Sequence, residues 1–191
     1  MAKAVFHPLT KDRWKDLSAL FGSKGACGGC WCMTSRRTRK EYDQGKGAGN
    51  RRAFQRIVAA DRQPGVLGYV GDEPVAWCSV EPRERFEGLK TSRILAPVDD
   101  TPVWSISCLF IHREHRGAGL SVAAIEAAVA HARRRGARWV EAYPVEPKTS
   151  PMPPVFAYTG IASAYRSAGF KEVARRSETR PIMRRAVRPP R

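Results

Sequence analysis

Residues Arg116 to Val122, Arg-Gly-Ala-Gly-Leu-Ser-Val, set two glycines directly against the start of an alanine-rich helical stretch. Glycine reaches left-handed backbone conformations without strain, and a helix start carries N–H groups that have no partner inside the helix. Such a turn offers several donors to one anion, and phosphate is the anion it suits. Two familiar phosphate loops do not fit. No segment reads G-x-x-x-x-G-K-[ST]. The dinucleotide pattern G-x-G-x-x-G lacks its third glycine at Val122, and five hydrophilic residues, His112 to Arg116, part the turn from the strand before it.

Other residues could do chemistry. Tyr165 stands four residues before Gly169-Phe170, and two glutamates, Glu81 in "CSVEP" and Glu141 in "RWVEAYPV", fall within strand-like segments. His112 and His115 flank the glycine turn, where they would serve the phosphate or face solvent. The segment Cys27-Gly28-Gly29-Cys30-Trp31-Cys32 packs three thiols into six residues. A zinc centre needs four ligands, commonly as two separated pairs, and here Cys78, Cys108 or a histidine would have to complete the set. No metal is expected.

The elements that must position these groups follow from the hydrophobic periodicity. "AVFHPL" reads as a strand and "TKDRWKDLSALFG" as a helix, with Trp14, Leu17, Leu20 and Phe21 on one face and Gly22 closing it. The cysteine-rich loop follows, then a basic helix from about Asn50 to Asp61 with Phe54, Ile57 and Val58 as its apolar stripe. "GVLGYVGDEPVAWCSVEP" reads as a hairpin turning at Gly71-Asp72-Glu73-Pro74. The charged stretch to Pro102 is irregular, "VWSISCLFI" is a long strand, and the main helix ends on Arg133, Arg134, Arg135 and Gly136. "RWVEAYPV" is the next strand. The proline-rich "EPKTSPMPPVFAYTG" then leads to a short helix, "IASAYRSAGF", and a last strand around "KEVARR". The order is mixed α/β, antiparallel in its front half, with one clear βαβ unit.

Composition bounds the partners. The 191 residues suit one domain with its own core, read as residues 1–180 followed by a basic Pro/Arg-rich tail, 181–191. A net charge of +16 predicts an anionic partner: a nucleotide-bearing cofactor, an acidic substrate or nucleic acid. The interleaved aromatic and basic pattern of a base-stacking surface is missing, so nucleic acid is not expected. No apolar run reaches the roughly 20 residues of a membrane helix. The N-terminal "MAKAVFHPLTKDRW" lacks the apolar core of an export signal, and five cysteines are an odd number for a disulfide framework. The reading is a cytoplasmic protein that does not engage membranes and could pair with a second copy of itself as a homodimer.

Arg116 to Ser121 resembles the R/Q-x-x-G-x-G/A signature of the GCN5-related N-acetyltransferases (GNATs), with serine at the sixth position. Ala164-Tyr165-Arg166-Ser167-Ala168-Gly169-Phe170 is similar to the family's late Leu-Tyr-x-x-x-Gly-Phe, about 50 residues downstream with a helix and a strand between. The resemblance implies a GNAT fold: a mixed, mostly antiparallel sheet with a splayed central strand and flanking helices. It implies that Leu109, Phe110 and Ile111 pair with the pantetheine arm of acetyl-CoA. The amides of Arg116, Gly117, Ala118, Gly119, Leu120, Ser121 and Val122 would hold the pyrophosphate. Acetyl transfer to a primary amine then needs a proton donor for the thiolate, a polarised carbonyl and a proton acceptor. By resemblance Tyr165 is the donor, the Leu109 N–H or a neighbour the polariser, and Glu141 the acceptor, with Glu81 or a water chain as rivals. Family members build the acceptor pocket partly from the connection between the first two helices, which points to Cys30, Trp31 and Met33, with Glu81, around the acceptor. The cysteine and proline-rich loops could enclose a compact pocket, favouring a small-molecule amine over a protein or peptide amine. A basic RNA- or ribosome-associated binding module that keeps only the fold remains as the alternative of a different class.

Overall fold

The computed structural model describes residues 4–147 and 157–187. One seven-stranded sheet runs in the order β1-β2-β3-β4-β5-β7-β6. β1 (Val5–Pro8), β2 (Gly65–Val70), β3 (Glu73–Pro82) and β4 (Trp104–Ile111) pair antiparallel in sequence. β5 (Trp139–Ala142) joins β4 in parallel, which is the expected βαβ unit. β6 (Lys171–Arg175) and β7 (Pro181–Ala186) close the far side antiparallel. The mixed, mostly antiparallel sheet is as the sequence predicts.

Helices cover both faces. On one side α5 (Leu120–Arg134) lays Ala124, Ile125, Ala128 and Ala132 on Ala76, Cys78 and Val80 of β3 and Ile106 of β4. Small alanine side chains let the helix approach the sheet closely. Tyr165 and Phe170, in and after α6 (Ala162–Ser167), extend the same core. On the other side α1 (Trp14–Phe21) and α3 (Ala48–Ala59) bury Leu17, Leu20, Phe21, Phe54 and Val58 around Trp77. β3 is buried on both faces because its alternate residues serve these two cores. Among the described residues no helix is long and apolar enough to cross a membrane.

Three expectations need correction. The tail does not begin at Pro181: residues 181–186 are β7, with Ile182 and Met183 fully buried and Arg184 paired to Glu141 and Asp99. Flanking arginines hid a short apolar run whose charges are neutralised inside the fold; residues 188–191 lie outside the described residues. A helix absent from the reading, α2 (Arg39–Gln44), is started by a capping box in which Thr38 and Glu41 bond each other's backbone N–H. The "irregular" stretch before Pro102 carries a short α4 (Glu87–Lys90) that seats Leu89 against Phe86, Tyr143 and Ile182.

Two features open the middle of the sheet. Ser79 pairs with Cys108 but Val80 with Ile106, so Ser107 is an extra residue in β4, a bulge that bends the strand. Beyond it Cys108 and Phe110 face the α1 side while Leu109 and Ile111 face α5. β5 pairs with β4 only over Trp104–Ile106 and then ends, so β4 runs on from Ser107 to Ile111 without it. This is the expected splay.

Candidate active site

The glycine turn sits at the mouth of that splay. Gly117 and Gly119 hold φ of 81° and 75°, which L-residues adopt only with strain, and a Cβ built on either would meet nothing within 4 Å. The glycines therefore set the backbone and leave the space above it open. Gly119 caps α5 without a side-chain bond. From Gly117 to Ser121 the N–H groups have no partner among the described residues, while the Val122 N–H folds back on the Gly119 carbonyl at 3.1 Å. Arg116 anchors the turn by donating Nε–H to the Ile111 carbonyl at 3.1 Å.

A cavity of about 570 Å³ joins this turn to the free part of β4 and to the cysteine loop. Leu109, Phe110, Ile111, Arg116, Gly117, Gly119, Leu120 and Ser121, eight of the ten residues expected at the cofactor, line it together with Cys30, which was expected at the acceptor. Ala118 and Val122 belong to the same turn and helix start but do not line the cavity. His115, expected beside the phosphate turn, lines it too, as do Cys27, Tyr158, Gly160 and Ile161, which sequence reasoning had not assigned there. Across the splay, the Leu109 N–H donates to the Tyr158 carbonyl at 2.7 Å. The amide expected to polarise a thioester carbonyl is thus engaged by the chain itself. The proline-rich loop that precedes Tyr158 lies largely outside the described residues.

A second, smaller cavity of about 250 Å³ adjoins the first and shares Cys27, Cys30, Cys108 and Tyr158 with it. Cys32, Thr34, Ser35, Tyr42 and Ser107 complete its wall.

Tyr165 is fully buried, and its hydroxyl donates to the Thr159 carbonyl at 3.0 Å. A Cβ on Gly160 would stand 3.4 Å from that hydroxyl and 3.1 Å from Leu109 Cδ2. Gly160 therefore lies between the phenol and the Leu109 side chain, and Tyr165 itself lines neither cavity. Burial holds its pKa well above the ordinary tyrosine value of 10, with Cys78 and Cys108 adding to the shift, so the phenol stays protonated.

Neither candidate carboxylate reaches the cavities. Glu141 sits opposite Ser105, four residues along β4 from Leu109, about 13 Å at strand rise. It accepts from Arg184 Nη2 at 2.8 Å, Arg83 Nη1 at 3.3 Å and Tyr143 Oη at 2.7 Å, and borders a separate cavity with Asp99 and Val98. Glu81 is bound by Arg62 Nη2 at 2.8 Å and, more closely, by Arg36, whose other nitrogen donates to Ser79 Oγ at 2.8 Å. Both carboxylates are buried, engaged by arginines and turned away from the two cavities. Trp31 and Met33 also leave the acceptor wall. Trp31 stacks on Trp14 at 6.1 Å and meets Phe21 edge-on at 5.8 Å, and Met33 is buried in the same cluster. The reason is backbone: Trp31 and Cys32 hold φ of 45° and 57°, which turns the indole into the core and leaves cysteines facing the cavity.

The Acetyltransferase (GNAT) family model matches residues 30–150, more than half of the chain. No curated protein sequence matches it. Solved structures share the fold at low identity. A GNAT-family acetyltransferase from Listeria monocytogenes aligns with TM-score 0.59 at 9% identity over 98% of each chain. The PaiA N-acetyltransferase of Thermoplasma acidophilum, solved in complex with coenzyme A, aligns with TM-score 0.56 at 9% identity over 97% of this chain and 99% of that one. An acetyltransferase from Thermus thermophilus aligns with TM-score 0.53 at 17% identity, covering 98% of this chain and 100% of its own. The open turn, the splayed strand and the family match agree: the chain belongs to the acetyltransferase (GNAT) family and is an acetyl-CoA-dependent acyltransferase.

Proposed function

We propose that the chain transfers the acetyl group of acetyl-CoA to the primary amine of a small molecule. The observation that carries this reading is the pair of joined cavities. The larger meets the glycine turn and the free β4 edge, and the smaller, about 250 Å³, lies beyond them beside Cys108. The smaller volume falls just below the usual range for ligand pockets, which suits a compact acceptor better than a polypeptide.

The roles follow from position. The N–H groups from Gly117 to Ser121 take the pyrophosphate, aided by the positive end of α5. The edge of β4 at Leu109–Ile111, left by β5, takes the pantetheine amides once the Tyr158 carbonyl releases the Leu109 N–H, and an N–H there polarises the thioester carbonyl. Tyr165, protonated and one glycine away from β4, gives its proton to the departing sulfur once the Thr159–Gly160 backbone shifts aside. A panel of small primary amines, with lysine and N-terminal peptides beside them, should be assayed with acetyl-CoA by thiol release. Turnover of a small amine supports the reading, and turnover of peptides alone overturns it.

A further inference from the structure

Four of the chain's five cysteines, Cys27, Cys30, Cys32 and Cys108, line the smaller cavity. Among the described residues, neither a carboxylate nor an imidazole lines it. Besides thiols and Tyr158, the ionisable groups among the described residues that line the larger cavity are His115 and Arg116, at the turn. An amine entering as an ammonium ion must lose a proton before it can attack, and with both glutamates locked in ion pairs these walls offer sulfur to take it.

Cys32 is the sulfur prepared for this. Its residue is 4% exposed, and Trp77, fully buried, donates Nε1–H to its Sγ at 3.3 Å. A left-handed φ of 57°, held by the stacking of neighbouring Trp31 on Trp14, aims the side chain at the sheet. Arg36, buried four residues on, faces it from the same loop; Cys108 faces it from β4 and Ser79 from β3, while Cys78 lies on the opposite face of β3. Cys30 is the nearby thiol within the loop. Burial would raise the Cys32 pKa, but the Cys108 thiol, the Arg36 charge, and the Trp77 and Ser79 donors outweigh it and bring it down to about 6. Cys108 and Cys78 are pushed up and stay protonated.

We propose that Cys32 is the catalytic proton acceptor for the acceptor amine, with Trp77, Arg36 and Cys108 positioned to hold its thiolate. This rests on the amine-acetylation reading above. The thiolate takes one proton from R–NH₃⁺ and becomes a thiol. The freed nitrogen lone pair forms the C–N bond to the acetyl carbon, the C–S bond breaks, and its electron pair leaves on the coenzyme sulfur. The second nitrogen proton balances the departing thiolate, delivered through Tyr165. Cys32 then returns its proton to solvent, so each turnover yields an amide, free coenzyme A and one proton.

The first test needs no acceptor. Iodoacetamide alkylation of the full chain, followed by peptide mass mapping across pH, should show Cys32 reactive as a thiolate with an apparent pKa near 6. A Cys32 that titrates like a free thiol, near pH 8.5, overturns the proposal. The second test compares wild type with Cys32→Ser in acetyl-CoA turnover of benzylamine and the other panel amines. At pH 7 kcat should fall about 10²-fold. The loss should shrink as pH rises toward the amine's own pKa, and coenzyme A affinity by calorimetry should stay unchanged. A pH-independent loss, or an acetyl group found on Cys32 by mass spectrometry, overturns the proton-acceptor role, the latter in favour of a covalent relay. Should Cys32→Ser fail to fold, Cys108→Ala tests the same point: loss of the S–H donor moves the acidic limb of the wild-type rate profile upward. An unmoved limb counts against the proposal. A thiolate near pH 6 in a protein that acetylates no amine sinks the amine reading, and the catalytic role with it, while leaving the thiolate itself established.

Discussion

The backbone N–H of Leu109 donates to the carbonyl oxygen of Tyr158 across the gap between β4 and β5, at 2.7 Å. The segment around Tyr158 thereby occupies the strand edge that a pantetheine arm would use, and coenzyme binding must exchange one partner for the other. Amide hydrogen exchange should therefore change when coenzyme A is added. Residues 157–161 should exchange faster by about fivefold, the loss of one net hydrogen bond, while the glycine turn slows. Saturation with coenzyme A that leaves 157–161 unchanged would show that the arm runs elsewhere.

Glu81 is predicted to matter for stability before it matters for rate. It holds the buried guanidinium of Arg36 and also pairs with Arg62. Glu81→Gln keeps the shape and removes the charge, leaving the buried Arg36 guanidinium without its carboxylate partner. Urea unfolding should report a loss of about 3 kcal/mol or more, with coenzyme A affinity preserved in the folded fraction. A cost below about 1 kcal/mol, the range of exposed pairs, would mean the network is wet and Glu81 is free to do chemistry.

The buried His131 gives the fold an acid sensitivity. Its Nε2–H donates to the Gln63 carbonyl at 3.1 Å, and the side chain projects from the buried face of α5. Burial drives its pKa down from 6.5 to about 4, with Arg135 and Arg134 reinforcing and the Gln63 carbonyl opposing. The unfolded chain takes up the proton near pH 6.5, and the folded chain only near 4. The stabilisation is therefore complete above pH 6.5 and is lost as pH falls through 4. Between these limits wild type should lose up to about 3 kcal/mol relative to His131→Gln. Parallel stability profiles for the two proteins across that window would contradict the assignment.

The sequence made the phosphate turn and its flanking elements readable because two glycines, a long apolar strand and an alanine stripe obey simple periodicities. The positions of Leu109 and Tyr165 came from motif likeness, and the fold puts both beside Gly160. The cysteine loop was misread at Trp31 and Met33. Large apolar residues in a glycine-rich loop look like pocket wall, and nothing local announces the left-handed φ at Trp31 and Cys32 that reverses them. The glutamates were misread for a different reason: their partners, Arg36, Arg62, Arg83 and Arg184, lie 19 to 58 residues away in sequence and meet them only in the folded sheet. β7 was hidden by the same pairing, since Arg184 reads as solvated charge until Glu141 is set opposite it.

The central claim is that acetyl-CoA sits on the turn at Gly117–Ser121, and calorimetric titration of coenzyme A tests it most directly. Gly119 holds φ of 75°, a conformation asparagine tolerates, and its Cβ direction is open. Gly119→Asn should therefore keep the fold while putting a side chain where the pyrophosphate would lie. Wild type should bind coenzyme A with one site per chain, and the variant should bind more weakly by about 2–4 kcal/mol, some 30- to 1000-fold. A folded Gly119→Asn with unchanged affinity, or a wild-type chain that binds no coenzyme A, would contradict the account.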